Sequence, residues 1–192
     1  MVIDAYVRVM DWRLLVDGIP CAKEEVFLAH KSRPVAVIST VSEGFDEVRI
    51  PVEVGRQVLM RMEGSSYPNW DENDVPALRS QKTFSFLVRV GSAKALTKLP
   101  EVQVVSEGGR LILPPTEKVH WNVFPWRTDR PEPRTFPESG DLMAELAEIL
   151  RKRRASRRRN SSRAVSAGGG SEEPSRPRRT TCAPSQGNAV TS

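Results

Sequence analysis

Gly108-Gly109 separates two short apolar runs, and Pro114-Pro115 stops the second of them. Residues 102–105 and 111–113 have the length and aliphatic content of strands, and a glycine pair supplies the positive φ of a tight turn. Neither proline can donate to a ladder, so the second strand must end there. A third short strand, with Trp121 inside it, follows over residues 119–124. The spacing predicts a hairpin and then an edge strand.

The remaining periodicities surround that sheet with helices. Ile3, Val7, Met10 and Leu14 recur at helical spacing and predict one amphipathic helix over residues 2–16. A second short helix is expected over residues 26–31, before Pro34. Residues 34–38, 45–51 and 82–90 read as strands, and 52–63 as a helix with Pro51 at its first position. Residues 64–80 read as a long polar loop, and 92–98 as a helical turn capped by Ser92. After a proline-rich connector, Ser139 is expected to cap a helix that buries Leu142, Met143, Leu146, Ile149 and Leu150.

Charge divides the chain. Residues 1–150 carry 18 Lys and Arg against 22 Asp and Glu, a net of −4, whereas residues 151–192 carry 11 against 2, a net of +9. The high pI therefore belongs to the end of the chain, and a slightly acidic body is not a preformed nucleic-acid groove. Beyond Asn160, Ser, Gly, Pro and Arg dominate, and a disordered Arg-rich tail is expected over residues 151–192. Cys21 and Cys182 form no metal-ligand pattern and indicate no disulfide framework. The N-terminus has no signal-peptide pattern, and no apolar run approaches the ~20 residues of a membrane span. The expected compartment is the cytoplasm, with no membrane partner.

Several of these motifs together resemble a known family. Gly108-Gly109, the apolar strand, Pro114-Pro115-Thr116 and the Trp121 strand are similar to the C-terminal half of the primase–polymerase (Prim-Pol) domain of the archaeo-eukaryotic primase superfamily. The likeness is nearest to divergent actinobacterial members. Residues 34–38 and 45–51 resemble two successive strands of that domain. Residues 52–63 resemble its following helix, with Gly55-Arg56 and Leu59 where the family often has Gly-Arg and Leu. Phe84 and Phe86 mark the next central strand. The likeness implies an α/β (α+β) fold with a mixed or antiparallel sheet and packed helices. It divides the chain into an N-terminal helix and connector (1–25), a Prim-Pol-like domain (26–150) and the basic tail (151–192).

The same resemblance implies a lost active site. Polymerising members carry an Asp-x-Asp pair at the end of the strand before the helix, where two carboxylates hold divalent ions. Here that stretch reads Val48-Arg49-Ile50-Pro51, and the nearby acids are Asp46 and Glu47. Adjacent residues on a strand point to opposite faces, so these two weak catalytic candidates cannot share one ion. The family's histidine has no counterpart in Phe84-Ser85-Phe86-Leu87. No metal site or cofactor is expected.

Other candidates are weaker. His120 beside Trp121 could line a nucleotide pocket, but strand alternation leaves one of them at the surface. His30 suits a helix C-terminus, Trp70 could stack a base, and Asp71, Glu72 and Asp74 lack the spacing of a calcium loop. The strongest signal for a partner is Arg151, Lys152, Arg153, Arg154, Arg157, Arg158 and Arg159, seven cations in nine residues. Such a cluster matches a phosphate backbone without reading sequence.

The expected function is a degenerate, non-catalytic DNA primase/polymerase-like domain that associates non-specifically with nucleic acid through its tail. Two alternatives stay open: an active primase or polymerase, a nucleotidyltransferase using Mg²⁺ or Mn²⁺, and a protein-interaction or regulatory module.

Overall fold

The computed structural model describes residues 2–16, 19–32, 37–40, 44–65, 75–106, 108–127, 129–130 and 132–167. Within them the fold is α+β, built from two antiparallel sheets and four α-helices. In chain order the elements are α1 (Val2–Arg8), β1 (Leu14–Val16), β2 (Ile19–Pro20), α2 (Lys23–Ser32), β3 (Val37–Thr40), β4 (Phe45–Pro51) and α3 (Val52–Ser65). There follow β5 (Ala77–Arg79), β6 (Thr83–Arg89), a 3-10 turn (Ser92–Lys98), β7 (Gln103–Val105), β8 (Arg110–Leu113), β9 (His120–Val123) and α4 (Gly140–Ala167). Contacts divide the chain into two units, Met1–Ala155 and Ser156–Ser192.

One sheet has the order β2-β1-β3-β8 and the other β7-β4-β6-β5-β9. Two apolar cores follow from strand alternation. Leu14, Val16, Leu111 and Leu113 of the smaller sheet pack with Phe45, Leu78 and Leu87 of the larger one. On the larger sheet's other face, Val48, Ile50, Phe84, Phe86 and Val88 pack with Val54 and Val58 of α3 and with Leu142, Leu146, Ile149 and Leu150 of α4. Strand β4, paired with β6 over its full length from Phe45↔Arg89 to Pro51↔Thr83, contributes to both.

The expected helix over 2–16 is a helix and a strand. α1 ends at Arg8, Asp11 adopts φ 53°, and the Trp12 amide donates to the Tyr6 carbonyl at 2.8 Å. Aspartate tolerates this left-handed conformation better than most residues, and it turns Leu14 onto β3. Sheet pairing there outweighs an apolar periodicity that a short strand also satisfies. The aromatic side chains of this segment are structural. Tyr6 stacks on Trp12 (5.7 Å between centroids) and meets Trp126 edge-on (5.6 Å). The buried Tyr6 hydroxyl donates to the Pro114 carbonyl at 2.8 Å and accepts from Trp121 Nε1 at 2.7 Å. Burial raises its pKa far above the ordinary tyrosine value, so it stays neutral.

The hairpin expectation is also corrected. β7 pairs with β4, and β8 pairs with β3, so the Gly108-Gly109 turn passes the chain from one sheet to the other. Only Gly108 has positive φ, 78°. Gly109 is required by space: a Cβ there would lie 2.0 Å from Val105 Cγ1. Two capping expectations change too. Gly91, not Ser92, precedes the 3-10 turn, and the Ser139 hydroxyl donates to the Ser92 carbonyl at 2.6 Å. Met143 is exposed, and Pro51 closes β4. β5, three residues long, lies inside the expected loop and sits between β6 and β9. Pro34, Trp70, Asp71, Glu72, Asp74, Cys182 and the side chain of His30 lie outside the described residues.

The basic tail begins as helix. α4 continues through Arg151–Arg159 to Ala167, because Ala, Arg and Lys are good helix formers. Glu148 adds support one turn back, accepting from Arg151 Nη2 at 2.7 Å and pairing with Lys152 Nζ at 3.1 Å.

Gly55 supplies a direct test of the second core. It lies on the buried face of α3, and a Cβ would fall 2.2 Å from Phe84 Cβ. Gly55→Ala is expected to destabilise the protein by about 1–3 kcal/mol in denaturant unfolding, as overpacking does. Gly140→Ala, whose added methyl meets nothing within 4 Å, should change stability by no more than about 0.5 kcal/mol.

Candidate functional site

β4 places its charged residues by alternation. Glu47 and Arg49 share the face turned toward the smaller sheet, whereas Asp46 shares the opposite face with Val48 and Ile50. Both carboxylates are 1% exposed. Each is engaged separately.

Glu47 receives a two-pronged contact from Arg49, Nε to Oε1 and Nη2 to Oε2, both at 2.7 Å. The Ser85 hydroxyl donates to the same Oε1 at 2.7 Å from β6. Arg49 Nη2 also donates to the Arg110 carbonyl at 2.5 Å. A forked guanidinium is the one side chain that can hold a carboxylate in this way and still reach a backbone oxygen. The cluster thereby links β4, β6 and β8, joining the two sheets. Asp46 Oδ2 accepts from the Gly91 amide at 2.8 Å, and its Oδ1 is buried with no hydrogen-bond partner among the described residues.

The divalent ion implied by the family resemblance does not fit these residues. It needs two carboxylates converging on one point, and Asp46 and Glu47 diverge across the strand. Glu47, moreover, is already neutralised by Arg49 and bonded by Ser85. Among the described residues no group of three or more His, Cys, Asp or Glu is placed to hold a metal ion. His120 is exposed on β9, opposite Arg79, while Trp121 turns inward to Tyr6. The two neighbours therefore do not form a common pocket.

The second candidate region is the end of α4. Arg151, Lys152, Arg154, Arg157, Arg158 and Arg159 are exposed, and Arg153 is half-buried. The bonds from Arg151, and then from Lys152, hold the Glu148 carboxyl below its ordinary pKa. Among the described residues no helix is long and apolar enough to cross a membrane.

Ser85 and the Arg110 carbonyl are the partners that sequence reasoning missed. A serine between two phenylalanines on a central strand was the available signal, since a buried hydroxyl must find an acceptor. Compared with protein-family models, curated proteins and solved structures, the chain matches none of them.

The Glu47–Arg49 pair makes a quantitative prediction. Removing one member of a buried pair leaves the other uncompensated, so Arg49→Met should cost about 3 kcal/mol. The double variant Glu47→Leu/Arg49→Met should lie closer to the parent than Arg49→Met alone, measured by urea unfolding as a double-mutant cycle. A double variant less stable than either single one would contradict the pairing.

Proposed function

We propose that this chain is a divergent primase–polymerase-like domain that lacks the family's metal-dependent catalysis and associates with nucleic acid through the basic end of α4. The observation that carries the association is the run of seven cations in nine residues displayed on a helix. Phosphate backbones attract such a run through counterion release, which needs no fixed base contacts. The acidic body, net −4 over residues 1–150, contributes nothing to that attraction.

Support for the domain reading comes from the order of elements. β4 leads directly into α3, Gly55 lets that helix lie against Phe84, and β6 pairs with β4 throughout. Support for the absence of catalysis comes from β4 itself. A cation occupies the position where a second metal-binding acid would lie, and it bonds the one carboxylate on its face.

Two measurements test this. Affinity for a mixed-sequence DNA should fall with salt at a log–log slope of about −5 to −6, as expected when most of the seven cations engage phosphates. Replacing Arg153, Arg154, Arg157 and Arg158 with Gln should flatten that slope by about 3 to 4. An unchanged slope would move the binding surface into the body. In a primer-extension assay with Mg²⁺ or Mn²⁺, no template-dependent incorporation is expected. Incorporation that disappears in Asp46→Asn would restore the active-enzyme alternative.

A further inference from the structure

The geometry points to a seat for one small phosphate-class dianion, inorganic phosphate or a phosphate monoester, between Arg79 of β5 and His120 of β9. It is separate from the nucleic-acid reading above and does not rest on it.

The first observation is the register of the larger sheet. Ile50, Phe84, Arg79 and His120 stand opposite one another along the neighbouring strands β4, β6, β5 and β9. Directly opposed residues share a face, and Ile50 and Phe84 fix it as the face packed with α3 and α4. Beneath α3 this row is apolar, and Gly55 lies close against Phe84. On β5 and β9 it changes to a guanidinium and an imidazole. Their Cβ atoms stand about 4.5–5.5 Å apart, as in any directly opposed pair. Histidine becomes a cation within the physiological pH range, and two cations so placed repel. An anion held between them turns that repulsion into attraction.

The second observation is that the protein supplies no such anion. Arg79 is half-buried and His120 exposed. Among the described residues, no hydrogen bond or ion pair engages either side chain. The acids that flank the row in sequence are already taken. Glu53 pairs with Arg56 at 3.5 Å, and Glu117 with Lys118 at 3.2 Å. Lys82 adds a further exposed cation in the β5–β6 turn. Its carbonyl accepts from the Val52 amide at 3.1 Å, which brings the start of α3 to the same end of the sheet.

The donors select the ligand. A guanidinium presents a fork of N–H groups matched to an oxyanion, and an imidazole adds one more from the neighbouring strand. Because Arg79 is half-buried, part of its rotamer freedom is already lost before anything binds. A long polyanion would meet the body's net −4 along its length. A compact dianion meets chiefly the charges within the Debye length of about 10 Å. Phosphate monoesters carry about −1.5 to −2 at neutral pH, more than the single charge of a backbone diester.

The test is nuclear magnetic resonance on the isotope-labelled full chain. The probes are sodium phosphate, methyl phosphate and dimethyl phosphate, each compared with sodium chloride at the same ionic strength. Signals of residues 77–80 and 119–122 should shift saturably with phosphate and with the monoester, and not with the diester. The tighter of the two ligands distinguishes free phosphate from a phosphorylated small molecule as the occupant. Arg79→Gln should weaken binding by about tenfold or more, the scale of one charge-assisted bond. Arg79→Lys, which keeps the charge but not the fork, should fall between it and the parent. His120→Gln, exposed on an edge strand, keeps the test intact if the Arg79 variants fold poorly, and should weaken binding by about threefold or more. The absence of a saturable shift at these residues, equal shifts with the diester, or shifts unaltered in His120→Gln would overturn the seat. Saturable shifts of the same residues with a short DNA duplex would also overturn it, in favour of a nucleic-acid surface on the body.

Discussion

Strand β4 is covered on both faces, by the smaller sheet on one side and by α3 and α4 on the other, and this governs every charged residue it carries. A buried charge without a partner costs several kcal/mol, so each must find one locally. Glu47 finds Arg49 two residues on, on the same face, and Ser85 across the ladder. Arg49 then reaches the Arg110 carbonyl and ties the sheets together. Asp46, on the other face, has among the described residues the Gly91 amide for one oxygen and no hydrogen-bond partner for the other. The arrangement that solves the burial problem is the same one that keeps two carboxylates from meeting.

Helix α4 carries the complementary half of the account. Up to Leu150 its apolar stripe is part of a core, and Arg61 of α3 pairs with Glu145 at 2.8 Å beside it. At Arg153 that stripe changes from leucine and isoleucine to arginine without any break in the helix. An element that is a core helix at its start is therefore a polycation at its end. Electrostatics there is long-ranged and salt-dependent, unlike the short-ranged pairing on β4.

Much of this was legible in the sequence where one physical signal dominated. The β4–α3 junction, β6 and the apolar start of α4 follow from period and breakers. The divergence of Asp46 and Glu47 follows from alternation alone. What was hidden depended on tertiary competition. Ile3, Val7, Met10 and Leu14 fit a helix, but Leu14 pairs with Ser39, and nothing local says so. The strands around Gly108-Gly109 look like a hairpin because sheet membership is a long-range choice, made here by β3 and β4. Ser85 and Tyr6 read as ordinary strand and helix residues, yet their hydroxyls bridge distant segments. The arginine cluster was legible as charge; its helical form was not, because the composition beyond it suggests disorder.

We propose that the basic end of α4 meets nucleic acid while the acidic body, net −4 over residues 1–150, does not. Hydrogen–deuterium exchange of the full chain, with and without duplex DNA, tests it most directly. Added protection confined to peptides covering residues 151–167, with β4, α3 and β6 unchanged, is the predicted result. Protection appearing on β4 and β6 while residues 151–167 exchange as before would contradict it and place the nucleic-acid surface in the folded body.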